Sequence, residues 1–528
     1  MADTLFAELL ETLGEIVNDF HWLSHMASNK AINTLVGTTR QRPHPWSTFQ
    51  PYTSWQGLTD RSYLARHLPP VDAAPSLPLA TEVQRLFARV PGGQRLSDKS
   101  TCLFPAFAQY LTDGFIRTDP HNPARTTSNH EIDLCPLYGR TPGQTELLRL
   151  FSSNSGQRGR LKSQIIANAA GKGEEYAPFL YRHNGSELDP DFTAQNGGEG
   201  LDPPLLGHGR LPPPARLATL FAFGGDRANS TPYSAMMNTL LLREHNRVAG
   251  ALEHRNPSWD DERLFQTARN IMIAMFIKIV VEQYINHIAP LPFRLIADPS
   301  VAWTSNWNRP NWMTVEFSLV YRWHSLMPDT IEWPGQKIAL AEFTLDNEPL
   351  TRVGLDAAFS AAAAQAAAEL GALNTGAALL PIEERAVEQG RFNKLDTYTN
   401  YRLAFGMQPA KTFKDITQSE DVQQVLEELY VTPDKVEFYP GLFAEDRVER
   451  SPLPGLLLRM VGVDAFSQAL TNPLLSQNVF NAKTFTQWGF ELIHTTNSLG
   501  DMLSRNVPEP SGRPIIMTQA GWDFEAGA

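Results

Sequence analysis

The chain has 528 residues, with 45 Lys and Arg against 57 Asp and Glu, which gives a formal net charge of −12 at pH 7. Hydrophobic residues make up 42% and charged residues 19%, a composition that excludes a disordered chain and allows a large buried core. The acidic balance and the lack of a basic run argue against a nucleic-acid partner.

The cysteine content and the first residues of the chain indicate in which cellular compartment we expect the protein. The only cysteines are Cys102 and Cys135, so the chain can form one disulfide at most. The start, MADTLFAELLETLGEI, carries acids among its apolar residues and no basic segment, unlike a secretory signal peptide. No apolar run reaches the roughly 20 residues of a membrane span, since Lys278 interrupts the longest one. We expect a cytoplasmic protein, with or without contact to a membrane surface.

The first predicted element is an amphipathic helix with an apolar stripe from Phe6 to Phe20. It either docks on the core or lies at a membrane surface or channel mouth, and its acidic polar face favours docking. We therefore divide the chain into an N-terminal helical segment, 1–45, a large domain, 46–510, and a C-terminal tail, 511–528.

The rest of the chain predicts a mainly α fold. Residues 120 to 215 are rich in Gly and Pro, so we expect long loops with short helices there. Strand-like alternation is scarce. Helical patterns occur at Phe104 to Arg117, Thr231 to His254, Asp260 to His287, Glu316 to Leu326, Ala357 to Leu370, Asp421 to Leu429 and Asp464 to Leu470.

One of these helices carries residues suited to redox chemistry. On a continuous helix from Glu316 to Leu326, Tyr321 and His324 would lie one turn apart on the same side. If His324 bound a haem iron, Tyr321 would lie near the porphyrin edge. Taken alone, such a pattern more often describes a core histidine with aromatic packing partners.

The wider sequence favours the first interpretation. The segment EFSLVYRWHSLMPDT, which contains Tyr321 and His324, resembles the proximal haem segment of animal-type haem peroxidases, and specifically of cyclooxygenases. The resemblance spans roughly residues 35 to 500 and implies that 46–510 is a haem-peroxidase-like catalytic domain. The few cysteines fit a microbial, intracellular relative of the fatty-acid dioxygenase type. Further segments resemble the family in the same order: YTSWQGLTDRSYLARHLPP, FAQYLTDGFIRT, LLREHNRV, LFQTAR, VEFYPGLFAE and Ala465-Phe466-Ser467.

The resemblance implies roles for individual residues. His324 would bind the iron of haem b, and Tyr321 would form the radical that removes hydrogen from a fatty acid. Gln109 would face the distal side of the haem. Arg227 matches a distal arginine that could polarise a peroxide, or else it is a surface arginine. The implied substrate-channel positions are Ser467, Phe317, Trp323, Tyr284, Ile285, Met460 and Val463.

Three positions depart from the family pattern. Asp113 stands where a histidine normally moves the peroxide proton. An ionised carboxylate could accept that proton, but returning it efficiently would need a pKa raised by burial, so we expect weak peroxidase activity. Thr399, followed by Asn400, stands at the position of an asparagine that contacts the proximal histidine. Leu291 replaces a carboxylate-binding tyrosine. The matching arginine falls in a divergent stretch, with Arg40 as first choice and Arg42 as second.

The resulting expectation is a haem-dependent dioxygenase that adds O2 to an unsaturated fatty acid, giving a hydroperoxide or a bis-oxygenated product with or without an endoperoxide. Alternatives are a fatty-acid α-dioxygenase, a haem peroxidase without oxygenase activity, and a non-catalytic haem or lipid-binding protein. Calcium is not expected, because the loop 125–133 lacks regularly spaced acidic ligands. Monomer and homodimer both remain open.

Overall fold

The computed structural model describes residues 21–37, 47–72, 76–119, 121–194, 198–205 and 212–520. The helix predicted from Phe6 to Phe20 lies outside these ranges, as do Arg40 and Arg42. The helix that follows it, His21–Gly37, is described and packs on the rest of the chain through Ile32 and Val36.

Helices dominate the described structure, which confirms the predicted mainly α class. The α-helices are His21–Gly37, Trp55–Thr59, Ala80–Phe87, Leu103–Asp113, Cys135–Tyr138, Pro142–Leu148, Pro214–Leu217, Pro232–Arg255, Asp261–Ile279, Asn286–Ile288, Ser300–Trp303, Val315–Val320, Glu348–Val353, Leu355–Ala364, Leu380–Phe392, Tyr398–Ala404, Glu420–Tyr430, Phe438–Ala444, Gly455–Leu470, Ala482–Thr495 and Leu499–Ser504. Short 3-10 turns begin at Pro190, His324, Leu340, Phe413, Pro433 and Pro473.

Strands are short and form three antiparallel pairs within the described residues. Leu96–Thr101 pairs with Ala366–Ala368, Gln164–Ala167 with Gly173–Tyr176, and Thr330–Trp333 with Gln336–Ala339. The first pair contradicts the helix predicted from Ala357 to Leu370, which ends at Ala364. Alanine has the highest helix propensity, but its small side chain also fits a closely packed strand. Here tertiary pairing outweighs the local preference.

A single apolar core extends from Ile32 in the first described helix to Met517 near the end of the chain. Residues of the predicted tail also pair with the body, since the backbone N–H of Thr101 donates to the carbonyl of Met517 over 2.8 Å. The division at 45 and 510 stays a prediction. Cys102 and Cys135 are both buried and free, so they form no disulfide with each other.

A long apolar helix crosses this core and changes its winding near its end. It begins at Asp260, whose side chain caps the first turn by accepting from the N–H of Arg263 over 2.8 Å. Asp261–Ile279 continues as a π-helix, Val280–Ile285, and ends as Asn286–Ile288. By length and hydropathy this stretch could cross a membrane, but 78% of its apolar window is buried, which is typical of a core helix. Such π segments often occur at functional sites.

The predicted helix from Glu316 to Leu326 is wrong beyond Val320. The helix Val315–Val320 ends there, Tyr321 and Trp323 have non-helical backbone angles, and a 3-10 turn begins at His324. The Trp323 indole Nε1 donates to the Val320 carbonyl over 2.6 Å, which satisfies one of the carbonyls left open at the helix end. Tyr321 and His324 therefore both follow the helix end and do not share one helical face.

Candidate active site

The two ring nitrogens of His324 differ in their hydrogen bonding. Its Nδ1 lies 3.2 Å from Oε1 of Glu383, a side chain that is only 2% exposed. Nε2 makes no hydrogen bond within the described parts of the chain, and the His324 side chain keeps 19% of its surface accessible. A histidine oriented through one nitrogen, with the other free, is prepared to bind a metal.

The sequence leaves the partner of His324 open between Thr399 and Asn400, but in the described structure the His324 Nδ1 lies beside Glu383. The Asn400 amide donates instead to the Asp396 carboxylate over 2.7 Å, at the surface. Thr399 is buried, and its hydroxyl has no hydrogen-bond partner in the described structure. Glu383 and His324 are separated by 59 residues along the chain.

Tyr321 lies within a group of stacked aromatic rings. Its ring centroid is 4.5 Å from that of Phe317 and 5.1 Å from that of Trp323. Burial raises the pKa of the Tyr321 phenol, and nearby Asp464 raises it further. Tyr284 interacts electrostatically with Tyr321, although its hydroxyl completes no hydrogen bond with any described residue. The phenol of Tyr321 is therefore held neutral and away from water.

The aromatic group continues into the helix Leu103–Asp113. The Tyr284 ring lies 5.7 Å from Phe104 and 5.2 Å from Phe107, and Phe104 lies 5.4 Å from Trp323. The π segment that carries Tyr284 thus packs between the Gln109 helix and the Tyr321 segment. Ring contacts of this kind hold aromatic side chains at fixed angles.

Gln109 is the single residue of the helix Leu103–Asp113 that is not buried. Its amide Nε2 donates to the Ser230 hydroxyl over 2.7 Å, and Ser230 bonds Ser234 over 2.9 Å. A polar side chain that is anchored by a hydroxyl and partly accessible within a buried helix can face a bound group.

Asp113 lies one turn after Gln109, as the sequence predicts, and is buried. Burial raises the pKa of its carboxyl to about 8, although the cation of Arg227 opposes this shift. Its Oδ2 is buried without a hydrogen-bond partner in the described structure. At neutral pH this group is therefore mostly a neutral acid.

Arg227 belongs to the same polar group and is only partly accessible. Its guanidinium donates to the carbonyl of Ile116 and acts electrostatically on Asp113. Arg322, which lies two residues before His324, has a pKa lowered mainly by burial and further by the cation of Arg227. The Gln109 side and the His324 side are therefore within electrostatic reach of each other.

These donors fit a haem better than a bare metal ion. A single imidazole with an open Nε2 and a bonded Nδ1 is the typical axial ligand of peroxidase haem. Across the described ranges, no three His, Cys, Asp or Glu side chains cluster to hold a metal ion. His324 would bind the iron, and Gln109 and Arg227 would border the haem.

An apolar cavity of about 700 Å³ lies between the helix His21–Gly37, the end of the π segment and the helix Gly455–Leu470. The predicted channel residues Ile285 and Leu291 line it, and Lys30 and Arg459 are the cations in its wall. The other predicted channel residues do not line it and are buried: Phe317, Trp323, Tyr284, Met460, Val463 and Ser467. Its size and lining suit a long apolar ligand.

A buried ionisable pair next to this cavity was not predicted from the sequence. Nε2 of His67 lies 3.4 Å from Oδ1 of Asp464, and both side chains are almost fully buried. Asp464 is three residues before Ser467 on the helix Gly455–Leu470, and its charge acts on Tyr321. The only sequence signal was an aspartate in an otherwise apolar helical stretch.

Comparisons with known proteins identify the family of the chain. The family described as animal haem peroxidase matches residues 114–516. The chain is 31% identical to prostaglandin G/H synthase 2 of Equus caballus over 512 residues, which cover 93% of this chain and 78% of the relative. It is 30% identical to prostaglandin G/H synthase 1 of Rattus norvegicus over 473 residues, 86% and 73% of the two chains.

Solved structures share the fold at lower sequence identity. Peroxidase A from Dictyostelium discoideum superposes with a TM-score of 0.70 at 17% identity, covering 87% of this chain and 95% of that chain. The fatty acid alpha-dioxygenase of Oryza sativa superposes with a TM-score of 0.66 at 17% identity, covering 95% and 94%. At such identities the likeness shows the fold alone.

Proposed function

The chain belongs to the animal haem peroxidase family, and from this premise we propose that it is a haem-dependent fatty-acid dioxygenase in which Tyr321 carries the radical. Its membership makes it a cyclooxygenase-like oxidoreductase. The observation that carries the finer proposal is Tyr321 itself. This phenol is buried and held within aromatic rings, at a helix end that also presents His324.

The residues around the proposed cofactor have separate roles. Haem b, when bound, supplies an oxidant able to take an electron from a nearby tyrosine. His324 would bind its iron through Nε2, and Gln109 would contribute an amide anchored on Ser230. Arg227 would supply a fixed cation close to Asp113.

Tyr321 would carry out the hydrogen transfers. Losing one electron and one proton leaves a neutral phenoxyl radical, which removes a hydrogen atom from the bis-allylic carbon of a polyunsaturated chain. O2 adds to the resulting pentadienyl radical, and the peroxyl radical takes a hydrogen atom back from Tyr321. The net reaction joins one O2 to the fatty acid as a hydroperoxide. A second addition of O2 before that return would give a bis-oxygenated product.

The cavity suggests how the substrate carboxylate is held. Leu291 lines the cavity but cannot donate a hydrogen bond, so the carboxylate needs another partner. Lys30 and Arg459 are cations in the same wall. We therefore assign the carboxylate to Lys30 and Arg459, with Arg40 retained as a prediction outside the described residues.

The same region supports contact with a membrane surface. Trp22 and Met26, on the helix that lines the cavity, are 62% and 61% exposed. Exposed apolar residues beside a cationic cavity mouth suit an apolar acid arriving from lipid. Co-sedimentation with phosphatidylcholine vesicles should fall when both residues are replaced by Ser. Unchanged binding would contradict this membrane contact.

Oxygen uptake by the haem-loaded protein tests the proposed function. With linoleate and a trace of hydroperoxide, we expect rapid O2 consumption and a mid-chain oxygenated product by mass spectrometry. Palmitate has no bis-allylic carbon and should give none. Uptake with palmitate and oxygenation beside the carboxylate would instead establish α-dioxygenation. Guaiacol oxidation without O2 uptake would establish a peroxidase.

A further inference from the structure

The hydrogen bonds around Glu383 indicate a role that family resemblance did not suggest. We propose that Glu383 is a positioning residue that acts on the haem through His324, by accepting a hydrogen bond from Nδ1 and strengthening the histidine as a ligand. This inference rests on the assignment of His324 as the haem ligand, which is part of the proposed function. It is independent of the substrate.

Within the described residues, the Glu383 carboxylate is contacted by two hydroxyl groups and by the His324 imidazole, which donates when its proton is on Nδ1. The Thr375 hydroxyl donates to Oε1 over 2.9 Å, and the Tyr439 hydroxyl donates to Oε2. His324 Nδ1 lies 3.2 Å from Oε1. An ionised carboxylate only accepts hydrogen bonds, so this set of donors matches its charged form.

The hydroxyl of Tyr439 stays a donor in this arrangement. Burial raises the pKa of the Tyr439 phenol, and the charge of Glu383 raises it further. The Tyr439 ring is fixed by stacking on Phe87, with centroids 5.4 Å apart. Glu383 is therefore held from both oxygens and has little freedom to leave His324.

The helix that carries Glu383 also braces the Tyr321 segment from the same side. Gln389, six residues after Glu383, donates to the Ser318 hydroxyl over 2.9 Å and accepts from Arg322 over 2.7 Å. The two ends of the segment 318–324 are thus tied to one helix, Leu380–Phe392. The orientation of His324 is therefore supported by side chains of this helix.

The consequence for the haem follows from the hydrogen bond. A buried anion that accepts from Nδ1–H fixes the tautomer with its lone pair on Nε2 and increases the basicity of that nitrogen. A more basic axial ligand stabilises the ferric state over the ferrous state. The reduction potential of the bound haem should therefore be lower than with a neutral partner.

The test compares Glu383→Gln with the matched control Glu388→Gln, which makes the same charge change on an exposed face of the same helix. For the haem-loaded proteins we would measure the reduction potential and, in the ferrous state, the iron–histidine stretching frequency. We expect E383Q to raise the potential and lower the frequency, with haem affinity reduced by about 10- to 100-fold. E388Q should match the unaltered protein. An E383Q protein whose potential and frequency match those of E388Q would overturn the proposal.

Tyr439→Phe provides a second measurement if E383Q does not fold. Removing this donor leaves more of the Glu383 charge to act on His324, so the potential should shift downward, opposite to E383Q. An unchanged potential would also overturn the proposal. If the unaltered protein shows no iron–histidine stretch, the assignment of His324 fails, and the proposed function fails with it. If the unaltered protein shows the iron–histidine stretch but E383Q changes neither its frequency nor the reduction potential, only the role of Glu383 is contradicted.

Discussion

The His324 side and the Gln109 side of the site differ in how completely their polar groups are satisfied. On the His324 side, the buried carboxylate of Glu383 is held by Thr375, Tyr439 and His324. On the Gln109 side, the equally buried carboxyl of Asp113 has an oxygen without a partner. Both oxygens of Glu383 thus have partners, whereas Asp113 has an oxygen unpartnered among the described residues and a pKa raised by burial.

This difference suggests which half of the chemistry the protein favours. Radical chemistry needs an oriented haem ligand and a protected phenol, and the His324 side supplies both. Peroxide cleavage needs a group that takes and returns a proton, and a mostly neutral acid at pH 7 is slow to take one. We therefore expect an oxygenase with a weak peroxidase activity.

The largest expected effect comes from Tyr321→Phe, which removes the transferable hydrogen while preserving the ring. Oxygen uptake with linoleate should fall to the background rate, with the haem absorbance spectrum unchanged. Phe317→Leu serves as a control that alters packing beside Tyr321 but leaves its hydroxyl. Oxygenation that survives in Tyr321→Phe would assign the radical to another residue.

Asp113→His should change the Gln109 side without altering the His324 side. A histidine can accept and return the peroxide proton near neutral pH, so guaiacol turnover should rise by about 100-fold or more. Asp113→Asn, which has the same shape but cannot ionise, should lower it. Equal turnover in both variants would mean that this position takes no part in proton transfer.

The raised pKa of Asp113 also predicts a pH dependence. Because the carboxyl accepts a proton only when ionised, peroxidase turnover should increase as the pH rises through about 8. The folded-state pKa lies above the usual value of 3.8, so the stability from this group is present below about pH 4 and is lost as the pH rises through about 8. Asp113→Asn should therefore raise the Tm at pH 8 by more than at pH 4. An equal change at both pH values would contradict the raised pKa.

A smaller effect is expected at the cavity wall, where charge rather than redox chemistry is involved. Lys30→Ala and Arg459→Ala should each raise the KM for linoleate by about 10-fold, the scale of one exposed charge-assisted hydrogen bond, with little change in kcat. Lys337→Ala, at a largely exposed lysine on the strand Gln336–Ala339 and outside the cavity wall, is the control. Guaiacol turnover should be unaffected. A KM equal to that of the control would exclude both cations as carboxylate partners.

The smallest effect should come from Ser230→Ala, which removes the anchor of the Gln109 amide. One neutral hydrogen bond contributes about 1 kcal/mol, so activation by hydroperoxide should slow by roughly fivefold. The lag before oxygen uptake would lengthen, while the rate after the lag would not change. A shorter lag would mean that Ser230 restrains Gln109 rather than orients it.

Several features could be predicted from the sequence because they depend on neighbouring residues. Helical periodicity located the long helices, including those around Leu241 and Ile271. The segment around Tyr321 and His324 carried enough family-specific residues to indicate the fold and the cofactor. The sequence alone showed that Asp113 replaces the family's histidine, because this position is identified by its short spacing from Gln109. It also showed that Asp113 would need a raised pKa to return the peroxide proton.

Tertiary contacts decided the rest. The helix predicted to carry both Tyr321 and His324 ends at Val320, where the Trp323 indole satisfies the terminal carbonyl. The strand Ala366–Ala368 forms despite the helix propensity of alanine, because Leu96–Thr101 offers a pairing edge. Only folding across 59 residues brings Glu383 to His324, a partner that the sequence had left open. Local pattern fixes the chemistry that a segment can offer, whereas burial and long-range hydrogen bonds determine its protonation state and its partners.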